Sequence, residues 1–304
     1  MADHRSSGDP IADRRFDYAM RYREGGDAAA AADLMAQALE LAPGWAAGWL
    51  ALGETLEMAG DRDGAAKAYG QALALDAADL VGAGARLARL GLRPAAGAVT
   101  PEHVAALFDD YAPRFEKALV ERLHYRAPAL MRALLDSTGP RRFRHALDLG
   151  CGTGLGAAGF ADLCDRIDGV DLSANMLAIA REKGLYTELA EGEAVAYLRD
   201  VPAAGIDLVI AADVLVYMSD LADLFAAVGT ALAAGGCFLF TVQDGGDEAF
   251  RIGADLRYAH GEAALRNWAE AAGLSVLRLE QASTRNDADK PVPGLVVLAA
   301  KPSA

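Results

Sequence analysis

The chain has 304 residues, 53% apolar and 24% charged, a composition that predicts a globular protein of two domains, each long enough to bury its own core. A formal net charge of -14 repels polyanions, so no nucleic-acid partner is expected. Cys151, Cys164 and Cys237 form no CxxC pair, Met1–Arg15 carry no apolar export core, and no run of about eighteen apolar residues occurs; the expectation is a cytoplasmic protein with no disulfide framework, metal site or membrane span.

The chain opens with an internal repeat. Gly26 and Asp27 recur 34 positions on as Gly60 and Asp61, Ala31 as Ala65, Gln37-Ala38-Leu39 as Gln71-Ala72-Leu73, and Leu41 as Leu75. Each unit reads as helix, Gly-Asp turn and second helix, with small alanines for close packing and Pro43 closing the first unit. These residues resemble the tetratricopeptide repeat, most clearly where Trp49, Leu52, Gly53, Gly60, Ala65, Tyr69 and Ala72 meet the pattern; the first unit departs at Arg15 and Met35. A helix over Leu80–Leu90 caps the array. The resemblance implies peptide binding or self-association through the repeats. Residues 1–93 are read as this all-α domain.

From Arg93 to Pro101 a Pro/Gly/Ala linker follows, and then Thr100 caps a helix with Pro101 at its first position, running toward Asp110. A second amphipathic stretch, Ala112–Leu135, is interrupted near Pro128. Residues 94–141 thus join the repeats to a third region, 142–304, where short β-rich runs alternate with helices. Strands are predicted at His145–Leu149, Arg166–Asp171, Thr187–Ala190, Ile206–Ala211, Cys237–Gln243, Ser275–Leu279 and Gly294–Ala300. No helical pattern separates the last two, so they should pair antiparallel.

The chemistry gathers at the strand ends. Asp148-Leu149-Gly150-Cys151-Gly152-Thr153-Gly154 leads from the first strand into a helix, and its glycines let a ligand lie against the backbone. Asp148 repels a pyrophosphate but suits a ligand bearing an ammonium and a sulfonium. Asp171 ends the second strand and can accept two ribose hydroxyls, a feature shared with nicotinamide sites. Glu193 and Ala194 follow the third strand, Asp213 the fourth, and Ala233-Ala234-Gly235-Gly236 precedes the fifth.

In this order the segments resemble the class I S-adenosylmethionine-dependent methyltransferases over Arg142–Lys301, with Ala234 standing where the family commonly has proline. The implied fold class is α/β: a Rossmann-like seven-stranded sheet with an antiparallel last strand, preceded by the repeat domain. The resemblance implies S-adenosylmethionine as cofactor and S-adenosylhomocysteine as product. Asp148, Gly150, Cys151, Gly152 and Gly154 would hold the methionine part, with Cys151 a small packing residue rather than a nucleophile. Asp171 would take the ribose, and Leu172, Met176, Glu193 and Ala194 the adenine. With the repeats, Phe108-Asp109-Asp110-Tyr111-Ala112, Phe115, Leu123, Tyr125 and Arg257-Tyr258-Ala259-His260 resemble a bacterial repeat-linked subgroup of that family, in which Tyr111 and Tyr125 would close the pocket.

Methyl transfer needs placement first and a base only if the acceptor must lose a proton. His260 is the candidate base, and Asp213 is set to orient the acceptor or the cofactor's amino group. Tyr217, Arg257 and Tyr258 are candidate acceptor contacts. The expected activity is methylation of a small molecule. Two other readings stay open: a protein methyltransferase whose repeats recruit the substrate, and a cofactor-binding adaptor without catalysis.

Overall fold

A computed structural model describes residues 6–139, 141–287 and 290–303; Met1–Arg5, part of the segment read above for an export signal, lie outside them. Two compact units divide the chain, Met1–His103 and Val104–Ala304. The division falls inside a helix rather than at the Arg93–Pro101 linker, so the second unit takes in the covering helices as well as the sheet.

The first unit holds α1 (Pro10–Glu24), α2 (Ala28–Leu41), α3 (Ala46–Met58), α4 (Arg62–Leu75) and the short α5 (Ala83–Arg89). The recurring Gly-Asp pair has a mechanical reason. Gly26 and Gly60 turn the chain through left-handed conformations, and the following carboxylates cap the next helices, Asp27 accepting from Ala30 N at 3.0 Å and Asp61 from Gly64 N at 2.9 Å. Ala31, Ala38, Ala65 and Ala72 are fully buried between the paired helices. Met35 and Tyr69, which occupy the same position of the two repeats, are both core residues; the Tyr69 hydroxyl donates to Glu57 at 2.6 Å.

The second unit begins within α6 (Pro101–Tyr111), followed by a 3-10 turn (Ala112–Arg114), the single turn α7 (Phe115–Lys117), a π turn (Ala118–Arg122) and α8 (Ala127–Asp136). The break in this series therefore falls ahead of Pro128, which occupies the first turn of α8, where a missing N–H costs nothing.

Beyond it lie β1 (Phe143–Leu149), α9 (Leu155–Ala158), β2 (Cys164–Asp171), α10 (Ala174–Glu182), β3 (Glu188–Glu191), α11 (Ala194–Asp200), β4 (Ile206–Ala211), α12 (Ala222–Ala231) and β5 (Leu232–Asp244). The chain continues through β6 (Phe250–Ile252), β7 (Tyr258–His260), α13 (Glu262–Ala271), β8 (Ser275–Gln281), β9 (Asn286–Asp287), β10 (Lys290–Pro291) and β11 (Gly294–Ala300). The main sheet runs β3-β2-β1-β4-β5-β11-β8, with β11 antiparallel to both its neighbours. Sequence pattern did not reveal β6 and β7 at the β5 edge or the β9–β10 pair, because strands of two or three residues are too short to show alternation.

The strands read as continuous apolar runs because both faces are covered. On β5, Phe238, Phe240 and Val242 join one core with Val209 and Val297 beneath α12 and α13, while Cys237 and Leu239 join the other with Leu208, Leu298 and Met131 beneath α8. This double cover fixes the strand tips. The order reverses between β1 and β4, which opens a crevice at their carboxyl ends.

Candidate cofactor and acceptor site

A cavity lies at that crevice, lined among others by Asp148, Gly150, Cys151, Gly152, Ala212 and Tyr125, with Phe115 and Leu119 from the covering segment. The chain leaves β1 through Gly150, whose φ is +60° and whose missing side chain makes room for Val214; a Cβ there would overlap the Val214 methyl. Gly152 faces open space. Asp148 sits beneath this loop, 1% exposed, and accepts from the Tyr186 hydroxyl at 2.8 Å. Burial pushes its carboxyl up to about 7 against the opposing pull of Tyr186. A ligand cation would return it to the ionised form. Burial pushes the Cys151 thiol far up, which leaves it inert.

Asp171, at the tip of β2, accepts from Gly152 N and from Ser173 N, each at 2.8 Å, one on each oxygen. Burial raises its pKa, and nearby Asp109 adds to the rise. Each oxygen keeps a lone pair, the arrangement two vicinal hydroxyls require. Leu172 is partly buried, and Met176 is packed in the first turn of α10, where its N–H donates to Ser173 Oγ. Gly192 N donates to Asp171 O at 2.9 Å, which joins the third strand tip to the second. Glu193 caps α11, its carboxylate accepting from Val195 N at 3.0 Å and Ala196 N at 2.7 Å, with Ala194 the first residue of that helix.

The covering segment is tied down on this side. Asp109 accepts from Ser173 Oγ at 2.6 Å, and Lys183 pairs with Glu116. Tyr125 lines the cavity, and burial raises its phenol with the charges of Asp213 and Asp148 adding to the effect. Tyr111 lies behind rather than on the wall, edge-on to Phe115 at 5.7 Å.

The acceptor side differs most from expectation. His260 is a strand residue, fully buried, with Nε2 against the carbonyls of Met218 at 3.0 Å and Ser219 at 3.1 Å. Nε2 therefore donates, and Nδ1 has no hydrogen-bond partner among the described residues. Burial brings its pKa down to about 4. The candidate base is thus a tether for the loop after β4 rather than an open base. Tyr258 is fully buried, its ring edge-on to Phe250 at 6.1 Å.

Asp213 stands at the β4 tip with a left-handed backbone, φ +56°, rare for a residue with a Cβ. Its oxygens accept from Thr241 Oγ1 at 2.8 Å and Thr284 Oγ1 at 2.9 Å, so the carboxylate is an anchor for two segments. Tyr217 and Arg257 do come together: Arg257 Nε donates to the Tyr217 hydroxyl at 3.1 Å, and Phe108 packs edge-on to Tyr217 at 5.4 Å. Sequence reasoning missed Tyr186, Thr241, Asp255, Thr284 and Arg285. None lies in a glycine turn or directly at a main strand tip, so none carried a local signal.

Residues 147–240 match the family profile described as a methyltransferase domain. An uncharacterized methyltransferase of Schizosaccharomyces pombe is 36% identical over 63 residues, 21% of this chain; the chain spans about a quarter of that relative, 24% of its length. Among solved structures, the cyclase SpnF superposes with a TM-score of 0.55 at 20% identity, over 67% of this chain and 98% of its own. The 1,6-didemethyltoxoflavin-N1-methyltransferase of Burkholderia thailandensis, solved with 1,6-didemethyltoxoflavin and S-adenosylhomocysteine, does so with a TM-score of 0.51 at 19% identity, over 66% and 90%. Residues 147–240 thus match a methyltransferase-domain profile, and the sheet shares the fold of these structures. One of these neighbours is a cyclase, so the fold alone does not fix the reaction. The residues present would fit S-adenosylmethionine: a cavity at an open glycine turn, with a buried acid beneath it that a cation would hold in its ionised form.

Proposed function

We propose that this chain transfers the methyl group of S-adenosylmethionine to a small molecule. The observation that carries the reading is Asp148, an acid buried in the wall of a cavity whose floor is a glycine turn, where a pyrophosphate would be repelled and an ammonium or sulfonium attracted. In this reading Asp148, Gly150, Cys151, Gly152 and Gly154 hold the methionine portion, Asp171 the ribose, and Leu172, Met176, Glu193 and Ala194 the adenine. Bound there, the cofactor supplies a methyl group that passes in line from sulfur to the acceptor, leaving S-adenosylhomocysteine. Phe115, Leu119 and Tyr125 exclude water. Tyr217 and Arg257 position the acceptor. Neither His260 nor Asp213 offers a free base, so catalysis rests on placement. The helix pairs of the first unit act as tetratricopeptide repeats for assembly or partner docking, and the three free cysteines fit a cytoplasmic setting.

Calorimetry tests the cofactor. S-adenosylhomocysteine should bind and NAD should not, and Asp171→Ala should weaken binding about tenfold or more, as expected when charge-assisted hydrogen bonds worth roughly 1.5–3 kcal/mol are lost. Preference for NAD would end the proposal. Incubation of the full chain with cofactor labelled in its methyl group and a cell extract should put label into the small-molecule fraction; label in protein alone would favour substrate recruitment by the repeats.

A further inference from the structure

Two guanidinium groups from distant parts of the second unit meet beside the cavity. Arg285 comes from the loop between β8 and β11, and Arg257 from the turn between β6 and β7. They converge on one carboxylate: Asp255 Oδ2 lies 3.5 Å from Arg285 Nη2 and 3.7 Å from Arg257 Nη1, while its short hydrogen bond, 2.7 Å, comes from Gln243. Asp213 Oδ2 is 3.9 Å from Arg285 Nε. The Arg285 side chain is 6% exposed, and among the described residues its guanidinium makes these two long ion pairs and no hydrogen bond. Ala212, just before Asp213, lines the cavity, and Arg126, just after the cavity residue Tyr125, donates from its N–H to the Thr284 carbonyl, so this cluster borders the space an acceptor would enter.

A nearly buried guanidinium held by long ion pairs alone has donors to spare, and a ligand's acceptor atoms can complete the set. Two arginines and two aspartates make a neutral set, so a monoanion enters at less electrostatic cost than a dianion would. A planar carboxylate matches the guanidinium fork. The edge-on pair of Phe108 and Tyr217 supplies an apolar wall beside Arg257.

We propose, resting on the methyl-transfer reading above, that the acceptor is a small carboxylic acid whose carboxylate is held between Arg285 and Arg257. Arg285 is a binding residue of this site, Asp255 keeps the two arginines in place, and the body of the acid lies against Phe108 and Tyr217.

The test uses the full chain, free and saturated with S-adenosylhomocysteine, and a panel of aryl and alkyl monocarboxylic acids each paired with its primary amide, read by calorimetry. At least one acid should bind about tenfold or more tightly than its amide, the step expected for a charge-assisted over a neutral hydrogen bond. Arg285→Gln should erase that preference while S-adenosylhomocysteine affinity holds, and Arg285→Lys should restore part of it. If Arg285→Gln does not fold, Arg257→Gln is read in the same way. Amides binding as well as acids throughout the panel, or an acid preference that survives both glutamine variants, overturns the inference. Failure of S-adenosylhomocysteine to bind the unaltered chain would instead strike the methyl-transfer reading, since acid preference is also read without it.

Discussion

The two sides of the crevice are built by different means. Around β1, β2 and β3 the site is made of main chain and acids next to strand tips: Gly152 N on Asp171, Gly192 N on the Asp171 carbonyl, and Asp148 under its own turn. Around β4 and β5 it is made of side chains from four separate segments, with Asp213, Thr241, Asp255 with Arg257, and Thr284–Arg285 meeting through space. The first kind of site binds a common feature of a cofactor and tolerates change in its surroundings. The second kind can be rebuilt one loop at a time, which is where selectivity for an acceptor belongs.

Altering one side at a time sharpens this contrast. The largest effect is expected from Gly150→Ala: the left-handed backbone costs about 1–3 kcal/mol and the new methyl meets Val214, so S-adenosylhomocysteine affinity should fall by more than tenfold. Val214→Ala in the same chain should return only the steric part, and full recovery by calorimetry would show that the backbone conformation is unimportant. The next effect is pH dependence. Asp148 is raised from 3.8 to about 7, so the free protein holds a proton that the unfolded chain has released, and loses stability as pH rises across that window. Binding a cation favours the carboxylate, so affinity should climb with pH, by up to about tenfold per unit below 7, and level off above it. Asp148→Asn should flatten that profile, and a slope unchanged in the variant would assign it elsewhere.

His260 tests the other side. Its pKa falls from 6.5 to about 4 on folding, so the unfolded chain binds the proton first; the stability this residue contributes is whole above 6.5 and is lost as pH falls toward 4, roughly 3 kcal/mol in all. His260→Gln should soften acid unfolding followed by circular dichroism and leave turnover per folded molecule unaltered. A collapse of turnover with stability intact would restore it as a base. The smallest effect is at Glu193, where alanine removes the α11 cap at a cost of about 1 kcal/mol in urea unfolding and weakens the cofactor less than Asp171→Ala does.

What could be read from sequence follows the same division. Asp148, the glycine turn, Asp171 and Glu193 are legible because strand, turn and helix cap are contiguous, and a local rule fixes where each group goes. The Gly-Asp turns of the first unit are legible for the same reason. His260 is not legible because three residues of β7 show no alternation, and the burial of so short a strand leaves no trace in composition. Arg285 and Thr284 sit in a loop without pattern. Only the fold brings them to Asp213, 71 positions away for Thr284.

The β8–β11 loop does more than deliver Arg285. Its main chain is laced to the covering segment, with Arg126 N on the Thr284 carbonyl at 2.8 Å, Arg126 Nε on the Ser283 carbonyl at 2.9 Å and Asn286 N on the Leu123 carbonyl at 2.7 Å. Leu119 and Tyr125 cannot swing aside without unpicking those stitches, and Thr284 also grips Asp213. Under the proposed activity, departure of the spent nucleoside along that route would loosen the acceptor's seat at the same moment, so that the two occupants would leave as linked events.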